Sequence, residues 1–119
     1  MAKTLVIGAS EKPEKYAYKA VERLLSHHHE VVALGIKEGN VLGVPILSGK
    51  PELKGIDTVT LYVGPAHQPA YYDYILSLHP RRVIFNPGTE NPEFVQQLET
   101  AGIQAEEACT LVMLGIGNY

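Results

Sequence analysis

The residues best suited to chemistry lie near the start of the chain. Leu5-Val6-Ile7 is a short apolar run, and Gly8-Ala9-Ser10 breaks it. A charged loop with Pro13 follows, and helical spacing begins near Lys15. Glycine at such a break lets the backbone turn sharply and brings main-chain N–H groups close to a guest. The helix beyond points its positive end at the same place, so an anion, above all a phosphate, is the natural ligand. Lys15 and Lys37 are cations of the kind that would pair with it.

The other reactive side chains point to less. Adjacent residues on a helix face different directions, so His27-His28-His29 cannot chelate one ion from a helix. The tract reads as a polar helix end, where cationic imidazole suits the negative pole, and no metal is expected. His67 opens a helix and His79 ends one, each with no assigned carboxylate or nucleophile. Cys109 stands in an apolar stretch without a Cys-x-x-Cys partner and reads as an inert core atom. Tyr71 and Tyr74 read as core, and Tyr72 as an exposed ring suited to a dimer contact. Glu106 and Glu107 form no acid–base pair with separated environments. With no catalytic constellation, the chain reads as a binding protein and not an enzyme.

Composition narrows the class. The 119 residues suit one domain over 1–119, with 45% hydrophobic and 19% charged residues. A net charge of -3 argues against a general nucleic-acid binder, which would show a basic patch. A single cysteine forbids an intramolecular disulfide and fits a reducing cytoplasm, the expected location. No signal peptide is read at the N-terminus, and no apolar run is long enough to span a membrane. A homodimer is the expectation for a small protein of this kind.

The elements that position these residues alternate along the chain. Strands are expected at Thr4–Ile7, Glu30–Leu34, Thr58–Val63, Arg82–Phe85 and Ile103–Glu106. Helices are expected at Lys15–Ser26, His67–Leu78 and Pro92–Thr100, the last capped by Asn91 with Pro92 at its first position. The stretch 38–55 is too rich in Gly and Pro for a long helix and reads as irregular. Within it, 41–46 is expected to be a small apolar ledge over the sheet edge. The tail 108–114 is read as a short helix or strand covering the sheet, and 115–119 as a loose end. A fully apolar first strand implies burial on both faces. The fold class is therefore α/β, a single doubly wound, mostly parallel five-stranded sheet with helices on both faces. Ligands bind such sheets beyond the carboxyl ends of the strands, at the switch in strand order, here expected near strands one and four. That rule gathers Gly8-Ala9-Ser10, Gly35-Ile36-Lys37, Val63-Gly64-Pro65 and Asn86-Pro87-Gly88 into one site.

Two nucleotide signatures are missing. Gly8 has no second or third glycine to complete G-x-G-x-x-G, and the segment after strand two offers Gly35-Ile36-Lys37, with no acid before Glu38, where a dinucleotide site would offer one. No G-x-x-x-x-G-K-[ST] is present either.

A resemblance covers nearly the whole chain. Val6-Ile7-Gly8-Ala9-Ser10 with Pro13, Lys15-Tyr16-Ala17, Val41-Leu42-Gly43, Asp57-Thr58-Val59, the run from Asn86 to Glu93 and the run from Ala108 to Val112 resemble the small stand-alone CoA-binding protein family. The run from Asn86 to Glu93 is the most specific part. The fold is similar to the Rossmann-like CoA-binding domain of succinyl-CoA synthetase and of NDP-forming acyl-CoA synthetases, whose catalytic histidine lies in another domain. The resemblance implies binding of coenzyme A or an acyl-CoA, with its 3'-phospho-ADP part across the carboxyl edge of the sheet. Gly8, Ala9 and Ser10 would line the diphosphate, beside Pro13, with Lys15 as a cation and Tyr16 packed nearby. Gly35, Ile36 and Lys37 would border the adenosine, with Val63 and Gly64 on its other side. Asn86, Pro87 and Gly88 would flank the pantetheine path. The chain departs from the family after strand two, where Ala33-Leu34-Gly35-Ile36-Lys37 replaces a Pro-Val-Asn-Pro-like segment. It also has His28 at a usual glycine, and no arginine near Gly115. The alternatives are an NAD(P)-binding protein, a subunit that presents CoA to a partner enzyme, or a domain whose site has decayed.

Overall fold

The structure is a computed structural model and describes residues 3–119. The first apolar run forms strand β1 (Lys3–Ile7), buried from Thr4 onward. Next come helix α1 (Tyr16–Ser26), β2 (Glu30–Leu34), β3 (Gly39–Val41), β4 (Val44–Leu47) and β5 (Ile56–Leu61). A 3-10 turn (Pro65–Tyr71) leads into α2 (Tyr72–Leu78), then β6 (Arg82–Phe85), α3 (Pro92–Thr100), β7 (Gln104–Glu107) and α4 (Thr110–Ile116).

The strands form one seven-stranded sheet in the order β3-β4-β2-β1-β5-β6-β7. Every neighbouring pair is parallel except β3 with β4. The sheet is thus mixed and seven-stranded, not the expected five, because the stretch read as irregular folds into a hairpin. Its turn holds Leu42 at φ 52 and Gly43 at φ 91, the pair of positive φ values that a tight two-residue hairpin requires. The Asn40 side-chain oxygen accepts the Gly43 N–H at 2.9 Å and fixes that turn. β4 then adds to the sheet through Ala33 opposite Ile46 and Leu34 opposite Leu47. The switch in strand order also moves. β1 lies between β2 and β5, so the reversal falls beside the third expected strand, and β6 lies beyond it.

Side-chain alternation assigns the two faces. Leu5, Ile7, Val59, Leu61, Val83 and Phe85 pack with Ile75 of α2 and with Phe94 and Leu98 of α3. Val6, Ala33 and Ile46 pack on the opposite face with Ala17, Val21 and Leu24 of α1 and Leu114 of α4. Helices cover both faces, as expected. Burying one such large side chain stabilises by about 1.5–3 kcal/mol. The second face is partly polar: the Thr60 and Thr110 hydroxyls meet at 2.8 Å, which seats the start of α4.

Two local expectations are corrected, and the histidine tract is a helix end as expected. The single helix expected over 67–78 is a 3-10 turn followed by α2, because Pro69 has no N–H to give an α-helical ladder. The tail forms α4, and Tyr119 is anchored rather than loose. Its hydroxyl lies 2.6 Å from that of Thr4, and the Arg82 guanidinium sits 4.5 Å from its ring centre. The histidine tract closes α1. The His28 N–H reaches the Leu25 carbonyl at 3.0 Å and the His29 N–H reaches Leu24 at 3.0 Å, with His28 itself at φ 65. That is a Schellman ending, in which glycine is the usual residue at the left-handed position.

Candidate phosphate-binding groove

The groove begins where β1 ends. Gly8 takes φ 95, and a Cβ there would sit 2.9 Å from the Tyr62 carbonyl carbon, so the exit of β5 excludes any side chain. The N–H groups of Gly8 and Ala9 both donate to the Leu34 carbonyl, at 2.9 and 3.0 Å. Those two amides therefore hold the loop against β2 instead of facing a guest. Ser10 follows, its hydroxyl accepting the Lys12 N–H at 3.1 Å and folding the loop back on itself. The Glu11 carboxylate accepts the Asn40 N–H at 2.9 Å and ties the same loop to the edge hairpin.

α1 then opens with Lys15 at its N-cap, no side-chain hydrogen bond on that cap and no acidic residue in its first turn. Among the described residues no side chain caps its first N–H groups at the positive pole. They face a cavity of about 350 Å³ whose walls include Ser10, Lys15, Tyr16, Gly64, Pro87 and Gly88. On one side, sharing Gly8, Ser10 and Tyr62, lies a cavity of about 330 Å³ between the Ser10–Lys12 turn and Ile36, Lys37 and Glu38. On the other side, sharing Tyr16, Tyr62 and Pro87, lies a smaller cavity of about 220 Å³ that adds Asn86, Cys109 and Leu111. The three make one continuous groove along the carboxyl edge.

Most of the expected residues line it. Gly8, Ala9, Ser10, Ile36, Lys37 and Val63 border the first cavity, and Lys15, Tyr16, Gly64, Pro87 and Gly88 border the central one. Ile36 is 91% exposed and Tyr16 68%, apolar surfaces at the mouth of a site. Two expected residues lie outside the groove walls. Pro13 sits in the exposed turn before α1, and Gly35 packs under the loop, where a Cβ would come 2.7 Å from the Ala9 carbonyl oxygen. Asn86 is only 2% exposed and its amide is committed. It donates to the Thr60 hydroxyl at 2.6 Å and the Leu61 carbonyl at 2.8 Å, and accepts the Thr110 N–H at 2.9 Å. Asn86 thus joins β5, β6 and α4, and presents little to a guest.

Sequence reasoning missed Lys12, Tyr62, Tyr71, Cys109 and Leu111 as groove residues. The strand expected over Thr58–Val63 ends at Leu61, which leaves Tyr62 just past it at the carboxyl edge. Tyr71 was read as core; it packs against the α2–α3 core and also lines the first cavity. A residue just past the last paired position of a central strand is the signal that would have found Tyr62.

The central cavity suits an anion, since Lys15 lines it with no acidic residue, whereas Glu11 and Glu38 balance Lys12 and Lys37 in the first cavity; among the described residues none of the three lysines has an ion-pair partner. Burial pushes the Tyr62 hydroxyl up to about 12, the neighbouring Thr110 and Thr60 acting in the other direction, so it stays protonated at neutral pH. Among the described residues its oxygen is buried without a hydrogen-bond partner.

A family model described as the CoA binding domain matches residues 2–115. Among solved structures, a crystal structure of an uncharacterized protein is 52% identical, with a TM-score of 0.98 over 100% of this chain and 98% of that one. A conserved hypothetical protein from Pyrococcus furiosus is 25% identical, with a TM-score of 0.82 over 94% of this chain and 98% of its own. A Thermus thermophilus protein at 20% identity shares the fold, with a TM-score of 0.87 over 99% and 90% of the two chains. No curated protein matches the chain.

Proposed function

The chain belongs to the CoA-binding domain family, and on that premise we propose that it holds coenzyme A or an acyl-CoA by its 3'-phospho-ADP moiety, without transforming it. One observation carries the mode of binding: the uncapped start of α1 opens into the central cavity between Ser10, Lys15 and Gly88. A diphosphate there meets main-chain N–H groups, a helix pole and a lysine together, and hydrogen bonds to a charged group are roughly twice as strong as neutral ones. The adenosine then lies against Ile36 and Lys37, and the pantetheine arm leaves over Pro87 and Gly88. The lone Cys109 suits a reducing cytoplasm as the place of action.

A thermal-shift series with CoA, 3',5'-ADP, NAD, NADP and ATP tests this. A ligand at a hundredfold its dissociation constant stabilises by about 2.7 kcal/mol. For a chain of this size that raises the midpoint by several degrees. The expected result is a shift with CoA and 3',5'-ADP and none with NAD. A shift with NAD or NADP in place of CoA would overturn the reading.

A further inference from the structure

We propose that two copies of this chain dock about a two-fold axis through the outer face of α4, with α1 of each on the rim. The contact needs no ligand and stands apart from the CoA groove. From Ala108 to Tyr119 the chain carries no charged side chain. Val112 is 57% exposed and Ile116 69%, and they lie one turn apart on α4 with Gly115 between them on the same face. Gly115 has no task within its own chain. Its φ is not positive, so other residues could take its place, and a Cβ there would meet nothing within 4 Å. Glycine weakens a helix. What it offers instead is close approach by another backbone.

The neighbouring helix points to a second copy as the occupant. α4 packs beside α1, whose exposed side chains include Lys19, Glu22 and Arg23. Among the described residues none of the three has an ion-pair partner. A two-fold axis can set Glu22 of one protomer against Arg23 of its partner, and the reverse, so the surface complements itself. A partner of one charge would meet a like charge on the same rim. A specific interface covers roughly 800 Å² of each partner. The seven residues of α4 cannot supply that alone, and the contact extends over α1. Tyr72, the ring expected at a dimer contact, is engaged elsewhere: it stacks on Phe94 with 4.3 Å between ring centres, and its hydroxyl donates to Glu93 at 3.1 Å.

Sedimentation equilibrium of the whole chain, from low to high micromolar protein, tests the proposal. The expected mass is that of two chains, reached in one monomer–dimer step. Ile116→Glu puts a charge in the middle of the face and is expected to give a single-chain mass throughout, with an unchanged circular dichroism spectrum. Gly115→Ala is expected to weaken the dimer about tenfold, the effect of overpacking a close contact. In the Ile116→Glu background the same change is expected to raise the thermal midpoint, because only the helix then feels it. Glu22→Arg and Arg23→Glu are each expected to weaken the dimer, and the double variant to regain it. A single-chain mass for the wild type at every concentration would overturn the proposal. A dimer that Ile116→Glu leaves intact, or that the double variant fails to regain, would overturn it as well. So would growth beyond two copies, since a two-fold contact closes.

Discussion

The side-chain amide of Gln68 donates to the main-chain carbonyl of Thr89 at 2.7 Å, deep inside the protein. The same nitrogen reaches the Val63 carbonyl at 3.0 Å, and the Asn91 amide donates to the Gln68 oxygen at 2.9 Å. One buried side chain thus locks together the segments that follow β5 and β6, which form one wall of the groove.

Replacing Gln68 should therefore be expensive for a residue that touches no ligand. Gln68→Leu leaves the buried Thr89 carbonyl and the half-buried Val63 carbonyl unpaired, and a buried loss of this kind costs about 1–3 kcal/mol. Gln68→Glu sets carboxylate oxygens against two carbonyl oxygens and is expected to be the worse of the two. Urea denaturation midpoints check the order; a Glu variant as stable as wild type would refute the account.

Lys15 stands at the N-cap of α1 beside the central cavity. Lys15→Ala is expected to weaken CoA binding by about 1–3 kcal/mol, the range for losing a charged hydrogen-bond partner. Lys50→Ala, on the exposed segment after β4, is the control and should leave affinity unchanged. Titration calorimetry at fixed ionic strength reads both. Equal effects from the two would mean that only overall charge matters.

His28 holds a left-handed conformation at the end of α1, which costs a residue with a side chain about 1–2 kcal/mol. Glycine adopts it freely but loses about 0.5–1 kcal/mol more entropy on folding. His28→Gly is therefore expected to stabilise slightly, raising the thermal midpoint by a few degrees at most. A lower midpoint would show that the His28 ring makes a contribution the backbone argument omits.

Asp57 receives two hydrogen bonds from the Arg81 guanidinium, each 3.0 Å, and Arg81 holds its carboxyl below the usual value of 3.8. A carboxylate with a depressed folded-state pKa adds stability above its unfolded pKa and loses it as pH falls through the folded value. The loss belongs to acid solution below about pH 4. Asp57→Asn should reduce stability at neutral pH and flatten this acid limb. Chemical denaturation at pH 7, 4 and 3 measures it. Parallel profiles for the two proteins would remove Asp57 from the acid response.

The sheet's centre was legible because burial on both faces leaves short apolar runs in β1 and β6, and because β5 is rich in the β-branched residues Ile56, Thr58, Val59 and Thr60. The end of β1 was legible because Gly8 breaks that run where the chain must turn. The β3–β4 hairpin was not, since strands of three and four residues, one holding Pro45, carry too little alternation. Its turn also uses Leu42 where asparagine or aspartate would have signalled it. In the groove, the loop glycines and Lys15 were found from local chemistry. Gly35 lies outside the groove walls, because a glycine that allows packing against Ala9 looks, in sequence, like one that allows a ligand to approach. Cys109 and Leu111 were hidden by distance: only the docking of α4 beside β5 and β6 brings them to Tyr62.

The two outer strands of the sheet have a bearing on how copies of this protein meet. An open strand edge invites another chain to pair with it, the first step to runaway assembly. β3 offers three residues, and the Asn40 N–H is already taken by Glu11. β7 reads Gln104-Ala105-Glu106-Glu107; Glu106 is paired with Arg82 at 3.7 Å, and the exposed Glu107 places a charge on the edge strand. Growth of the sheet from one molecule to the next is blunted on both flanks, which leaves the helical faces as the ground for any self-association.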